Sequence, residues 1–109
     1  MATTYKVLGQ SNPSATTATT LYTCPASTQT VISTVTICNQ AGTSGTYRIA
    51  VRPNGATLAD EHYIVFDATL AATSVTAYTL GITIDASDVI TVYSSTSDFS
   101  FNAFGSEIA

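Results

Sequence analysis

Val31 to Arg52, VISTVTICNQAGTSGTYRIAVR, is the stretch that decides the fold class. Tyr47, Ile49 and Val51 alternate with Arg48, Ala50 and Arg52, the two-residue period of a strand with one wet face. Val31 to Cys38 is dense in β-branched residues, which pack well on a pleated surface and lose rotamer freedom in a helix. Between the two runs lies Asn39-Gln-Ala-Gly-Thr-Ser-Gly45, whose two glycines permit the positive φ of a hairpin turn. The reading is two β-strands joined by a turn.

The rest of the chain repeats that grammar. Thr4–Leu8 and Thr19–Cys24 read as short strands separated by the loop GQSNPSATTA, and Pro25 stops the second ladder because it lacks an N–H. After Arg52, Pro53-Asn-Gly55 is a turn that opens a protruding loop to Glu61. His62–Thr69 is a strand, with Ile64 and Phe66 expected on one face and Tyr63 and Val65 on the other. Val75–Leu80, Ile82–Ile84, Val89–Tyr93 and Asp98–Gly105 follow, broken by Gly81 and the turn Asp85-Ala-Ser-Asp88. Short strands with regular turn signals predict an all-β fold: a single antiparallel β-sandwich, jelly-roll or Ig-like, of about 7–9 strands. Residues 1–18 read as an N-terminal strand, arm and loop, and residues 19–109 as the sandwich domain.

Charged residues make up only 9% of the 109, far below the roughly 25% of a typical soluble domain. A surface poor in charge loses little desolvation energy when another protein covers it. Edge strands are usually guarded by charge, and the one lysine is Lys6. Faces and edges covered in an assembly are therefore expected, over a hydroxyl-rich monomer. A net charge of −4 with three cations argues against nucleic-acid binding by phosphate neutralisation and against an acidic membrane surface. Met1–Lys6 leads into no apolar segment, so synthesis in a cytoplasm without a signal peptide is expected. Cys24 and Cys38 match no zinc spacing and read as reduced, buried hydrophobes.

Three constellations carry titratable groups. Asp60-Glu61-His62 is contiguous at a loop end and reads as a solvated tip, because neighbours diverge in an extended chain. Asp85 and Asp88 are standard turn residues before they are calcium ligands. No catalytic, cofactor-binding or metal-binding residue is assigned, and no enzymatic activity is expected. Arg48 and Arg52 share one face of a strand, about 13 Å apart by strand rise. If that strand pairs antiparallel with the His62 strand so that Ile49 meets Phe66 and Val51 meets Ile64, Arg48 lands opposite Asp67. Arg48, Arg52, Tyr63, Val65 and Asp67 are thus the candidate protein-interface residues. An internal surface ion pair is the competing reading of Arg48 and Asp67.

TTLYTCPASTQTVISTVTICNQAGTSGTYRIAVRPNGA (19–56), EHYIVFDATL (61–70) and LGITIDASDVITVYSSTSDFSFNAFG (80–105) together resemble a family of small tailed-bacteriophage virion proteins. The pattern is a TLYT-Pro opening, a strand ending in Cys-Asn, the YRIAVRP strand, a Gly-x-Thr-x-x-x-x-Asp-x-Ile-x-Val-Tyr segment and a phenylalanine-rich end. The resemblance implies a non-enzymatic structural protein of the virion, either a capsid cement or decoration protein or a module of the tail, neck or fibre. Its expected partners are copies of itself, as a homotrimer or other homo-oligomer, and the major capsid or tail protein of the same particle. A carbohydrate- or receptor-binding sandwich is the reading from a different class, suited by six tyrosines and polar loops but weakened by the absence of Trp.

Overall fold

The computed structural model describes residues 2–109. The strands are β1 (Thr3–Ser11), β2 (Thr19–Thr23), β3 (Gln29–Asn39), β4 (Gly45–Arg52), β5 (Tyr63–Leu70), β6 (Val75–Tyr78), β7 (Ile82–Ile84), β8 (Val89–Ser94) and β9 (Phe99–Ile108). They form two packed antiparallel sheets. One is ordered β1-β9-β3-β6, with β7 also on β3, and the other β2-β8-β4-β5. This is the strand order of a jelly roll, with β6 and β7 standing as one strand broken at Gly81, where φ is +65. No helix among the described residues is long and apolar enough to cross a membrane.

The alternation read in β4 sets the core. Tyr47 and Ile49 point inward to meet Ile32, Val35 and Ile37 from β3 and Phe99 and Phe101 from β9. The Tyr47 ring lies 6.1 Å from Phe99 and 6.5 Å from Phe101, within the range of aromatic pairing across the sheets. Its hydroxyl shares a 2.6 Å hydrogen bond with that of Tyr78, and burial pushes the Tyr47 phenol well above its ordinary pKa. Each of these large side chains contributes about 1.5–3 kcal/mol by leaving water.

β3 and β4 do not form the expected hairpin, because they lie in opposite sheets. Both edges of β3 are already taken, one by β9 and the other by β6 and β7. The apolar face of β4 is buried against the apolar face of β3, so the two strands stack instead of pairing. The connection is an arch, and neither Gly42 nor Gly45 needs a positive φ. Gly45 is there for space, since a Cβ would lie 2.8 Å from the Phe99 ring.

The arch is held by Asn39, which is completely buried. Its Nδ2 donates to the carbonyls of Thr43 at 3.0 Å, Leu70 at 3.1 Å and Ala71 at 3.1 Å. Its Oδ1 accepts the Ala41 N–H at 2.9 Å. One amide therefore closes the β3–β4 arch and the β5–β6 arch together. The N-terminal residues are likewise part of the sheet: β1 pairs with β9 throughout, Leu8 packs on the core, and Asn12 donates to the carbonyls of Ser97 and Phe99.

Both cysteines are free; Cys24 is buried and Cys38 half-buried. Cys24 hydrogen-bonds to Thr30 near the start of β3, while Cys38 lies at its far end, a separation of roughly 26 Å by strand rise. That distance forbids a bridge. Alkylation without reductant is expected to modify Cys38 first in the native protein and both thiols after denaturation, as read by intact mass. Asn39→Ala strips a partner from the buried Leu70 carbonyl and from the half-buried Thr43 and Ala71 carbonyls, and is expected to lower unfolding free energy by about 2–4 kcal/mol. Asn39→Asp, which cannot donate, should cost at least as much in the same denaturant titration.

Candidate functional site

The outer face of the four-stranded sheet is built around Arg48. β4 and β5 pair antiparallel, starting at Gly45 with Leu70 and running through Tyr47 with Ala68. Ile49 then meets Val65, not Phe66 as expected, so two residues of β5, Phe66 and Asp67, face the single residue Arg48. This is a β-bulge, and Asp67 adopts the left-handed φ of +52 that it requires. A second shift sets Tyr63 opposite Ala50 and leaves Ile64 extra, so the expected pairing of Ile64 with Val51 is not formed.

The expected facing is reversed at Ile64, Val65 and Phe66 as a result, while the second shift returns Tyr63 to the outer face. Val65 packs inward on the core, whereas Ile64 and Phe66 are exposed. Tyr63 lies on the outer face beside Phe66, ring centroids 5.0 Å apart and nearly perpendicular.

Arg48 is held on every side. Nε donates to Asp67 Oδ1 at 2.6 Å and Nη2 to Oδ2 at 3.2 Å, a bidentate pair. The guanidinium lies 4.2 Å from the Phe66 ring centroid and 4.2 Å from that of Tyr93, sandwiched between them. The intramolecular pairing of Arg48 with Asp67 is thus formed. Arg52 is engaged differently: Nε donates to Thr91 Oγ1 at 3.0 Å and Nη1 to the Ala56 carbonyl at 2.9 Å, tying down the loop after β4. Phe66 and Tyr93 completed this cluster without being singled out in the sequence. Tyr93 was legible as the outward residue of β8, but Phe66 was hidden by the bulge.

The other titratable clusters serve the backbone. His62 is buried, not part of a solvated tip, and its Nδ1 accepts the Ala59 N–H at 3.0 Å. Asp88 accepts from the Asn54 N–H at 2.7 Å and the Asp85 N–H at 2.8 Å, and Asp85 accepts from Ala86 N–H. No group of three or more metal-ligating side chains occurs among the described residues.

The outer face of the five-stranded sheet has the opposite character. Cross-strand rows on it run Tyr5–Ser106–Val31–Thr83, Val7–Phe104–Thr34, Gln10–Asn102–Thr36–Ala77 and Ser100–Cys38–Val75. None of the chain's three cations and seven acids stands in these rows. Tyr5, Val7, Val75 and Phe104 are exposed on it. Lys6 and Glu107 alternate to the inner side of the same strands, where Lys6 Nζ lies 3.1 Å from Glu107 Oε1. The Tyr22 hydroxyl donates to the other oxygen of Glu107. That hydrogen bond, with Lys6 behind it, holds the Glu107 carboxyl below the usual range.

Comparison of the chain with protein-family models, with curated proteins and with solved structures finds no match.

The hydrogen bonds from Arg48 lower the pKa of Asp67. A carboxylate depressed in the folded state contributes stability that is complete above its unfolded pKa near 4 and is lost as pH falls through the depressed value. Carboxyl-carbon NMR titration is expected to place Asp67 below the ordinary aspartate range, and Arg48→Ala to return it there. An unchanged titration in the variant contradicts the pairing.

Proposed function

We propose that this protein is a non-enzymatic structural subunit of a tailed-phage particle, acting as a capsid cement or decoration protein that is held in place through sheet surfaces. The observation that carries the reading is the uncharged outer face of the five-stranded sheet. Covering it displaces water from hydroxyls, amides and apolar groups, with no ion to desolvate. The motif resemblance from Thr19 to Gly105 supplies the setting, and the jelly-roll topology, which recurs in capsid and lectin domains, is compatible with it by analogy of fold alone. A site on the tail, neck or fibre satisfies the same chemistry and differs in copy number. Arg48, Arg52, Tyr63 and Asp67 enter this reading as the fixed polar and aromatic border of the other face. Val65, directed inward, is left out of it.

The carbohydrate-binding reading retains one favourable observation. The Phe66 ring is 56% exposed and, with Tyr63 and Asp60, lines an open depression. An aromatic face beside a carboxylate is the arrangement that stacks and hydrogen-bonds a sugar.

Quantitative mass spectrometry of purified particles is expected to find the chain at hundreds of copies; a few to dozens assign it to the tail. Val75→Glu with Phe104→Glu, which places two charges on the uncharged face, should reduce binding to particles lacking the protein at least tenfold without loss of fold. Absence of the chain from particles overturns the reading. Specific retention on a glycan array, lost in Phe66→Ala, replaces it with the second.

A further inference from the structure

We infer that the outer edge of β1 is a self-pairing strand, and that two copies of this chain join there about a two-fold axis through Tyr5 into one continuous sheet.

The other sheet edges are blunted. β5 carries the bulge at Asp67 and a second irregularity at Ile64, β6 and β7 are short and broken by Gly81, and β2 has five residues with a shift at Leu21. Bulges, breaks, brevity and charge, lysine above all, are the usual means of keeping an edge from pairing. From Thr3 to Val7, β1 has no bulge or break and all five residues are exposed; its one charge, Lys6, alternates to the inner side and is paired with Glu107 of the neighbouring strand. The regular stretch ends at the irregularity between Val7 and Gly9, where Leu8 turns onto the core and Gly9 lies against the Leu21 carbonyl.

The hydrogen-bond phase of this edge is fixed. Ala2 and Ala109 exchange both of their N–H···O=C bonds, at 2.6 and 2.9 Å. Alternate residues of an antiparallel strand point their backbone groups to the same side, so Ala2, Thr4 and Lys6 are directed at β9. Thr3, Tyr5 and Val7 therefore present N–H and C=O to the open side. A second extended strand matches donors and acceptors at that spacing.

The identity of the strand follows from symmetry. Tyr5 is the midpoint of the regular stretch, and an antiparallel pair of identical strands closes about a two-fold axis. Centred there, Tyr5 pairs with Tyr5 of the second copy and Thr3 with its Val7, so every open group on Thr3, Tyr5 and Val7 is met. Tyr5, the most exposed large hydrophobic among the described residues at 84%, then lies beside its twin on the outer face. Lys6 falls opposite Thr4 of the second copy and not opposite its own counterpart. Thr4 is itself paired with Glu107, so each copy's lysine enters a row that contains a carboxylate. The uncharged outer faces of the two copies become continuous. Moving the axis by one residue to Lys6 opposes the two lysines directly, which disfavours that register.

This pairing deepens the subunit reading and rests on it only for its biological setting. The test therefore uses the purified full chain, without particles. Sedimentation velocity across the micromolar to millimolar range is expected to show a monomer–dimer equilibrium. Tyr5→Pro removes a donor that no bond within the chain uses, and should shift the dissociation constant at least tenfold upward with an unchanged circular dichroism spectrum. Hydrogen exchange supplies a readout that needs no variant. The Thr3, Tyr5 and Val7 amides should be protected when concentrated and exchange freely on dilution, while Thr4 and Lys6 stay protected in both. A chain that remains monomeric throughout, or a dimer in which those three amides exchange freely, overturns the assignment. Either result leaves attachment to particles to be judged separately.

Discussion

A single buried amide governs how this sandwich closes. Asn39 sits where β3 ends, its side chain fully buried between the carbonyls of two arches. Its Nδ2 serves Thr43, Leu70 and Ala71, and its Oδ1 holds Ala41. Around it the backbone is stitched further, by Asn39 N–H to the Ser74 carbonyl, Thr73 N–H to Ala41 and Gln40 N–H to Asp98. Both crossings, and through Asp98 the start of β9, are brought to one point. The pairing of Phe99 and Phe101 with Tyr47 depends on that convergence, because those residues come from opposite sheets.

The distribution of charge is the second constraint. Polar side chains on this protein are mostly employed in shaping it. Asp88 and Asp85 cap a turn, His62 caps another, Arg52 holds the loop after β4, and Arg48 with Asp67 fixes a bulge. Even the buried Tyr22, whose phenol is pushed up by burial and then by Glu107, links strands of different sheets through Thr30 and Glu107. What remains on the five-stranded sheet is a neutral surface. A protein with few charges that spends them on turns and bulges leaves the broad face of its five-stranded sheet neutral as a direct result.

Much of this was legible in the sequence, and the exceptions share a cause. Alternation located the strands and named the buried side of β4, because periodicity records which face meets water. It does not record which edges hydrogen-bond, so a face-to-face stack of β3 and β4 looked like a hairpin. On β5 the alternation was misread because one bulge flips the side chains from Phe66 to Ile64 and a second irregularity flips the strand back at Tyr63. The register assumed from Ile49 and Phe66 holds at the Gly45 end, where Tyr47 meets Ala68, and fails past Asp67. Asp is among the few residues that accept a left-handed backbone, but its sequence context gave no other sign of the bulge. The burial of His62 depends on a short turn that no periodicity announces.

The nested pairing of the strands orders the folding of the chain in time. β4 with β5, β3 with β6, β2 with β8 and β1 with β9 are successive rungs of one long rolled hairpin, from Ala50 with Tyr63 to Thr3 with Ile108. Closing the outermost rung directly costs about 2 kcal/mol more loop entropy than closing the innermost. Each inner rung, once made, shortens the loop that the next must close. Zipping outward from the β4–β5 tip is therefore the low-cost route, and the slow step is set by topology, not by any single contact. β1 docks last. On that route the open edge from Thr3 to Val7 acquires its fixed backbone phase only after the core is sealed.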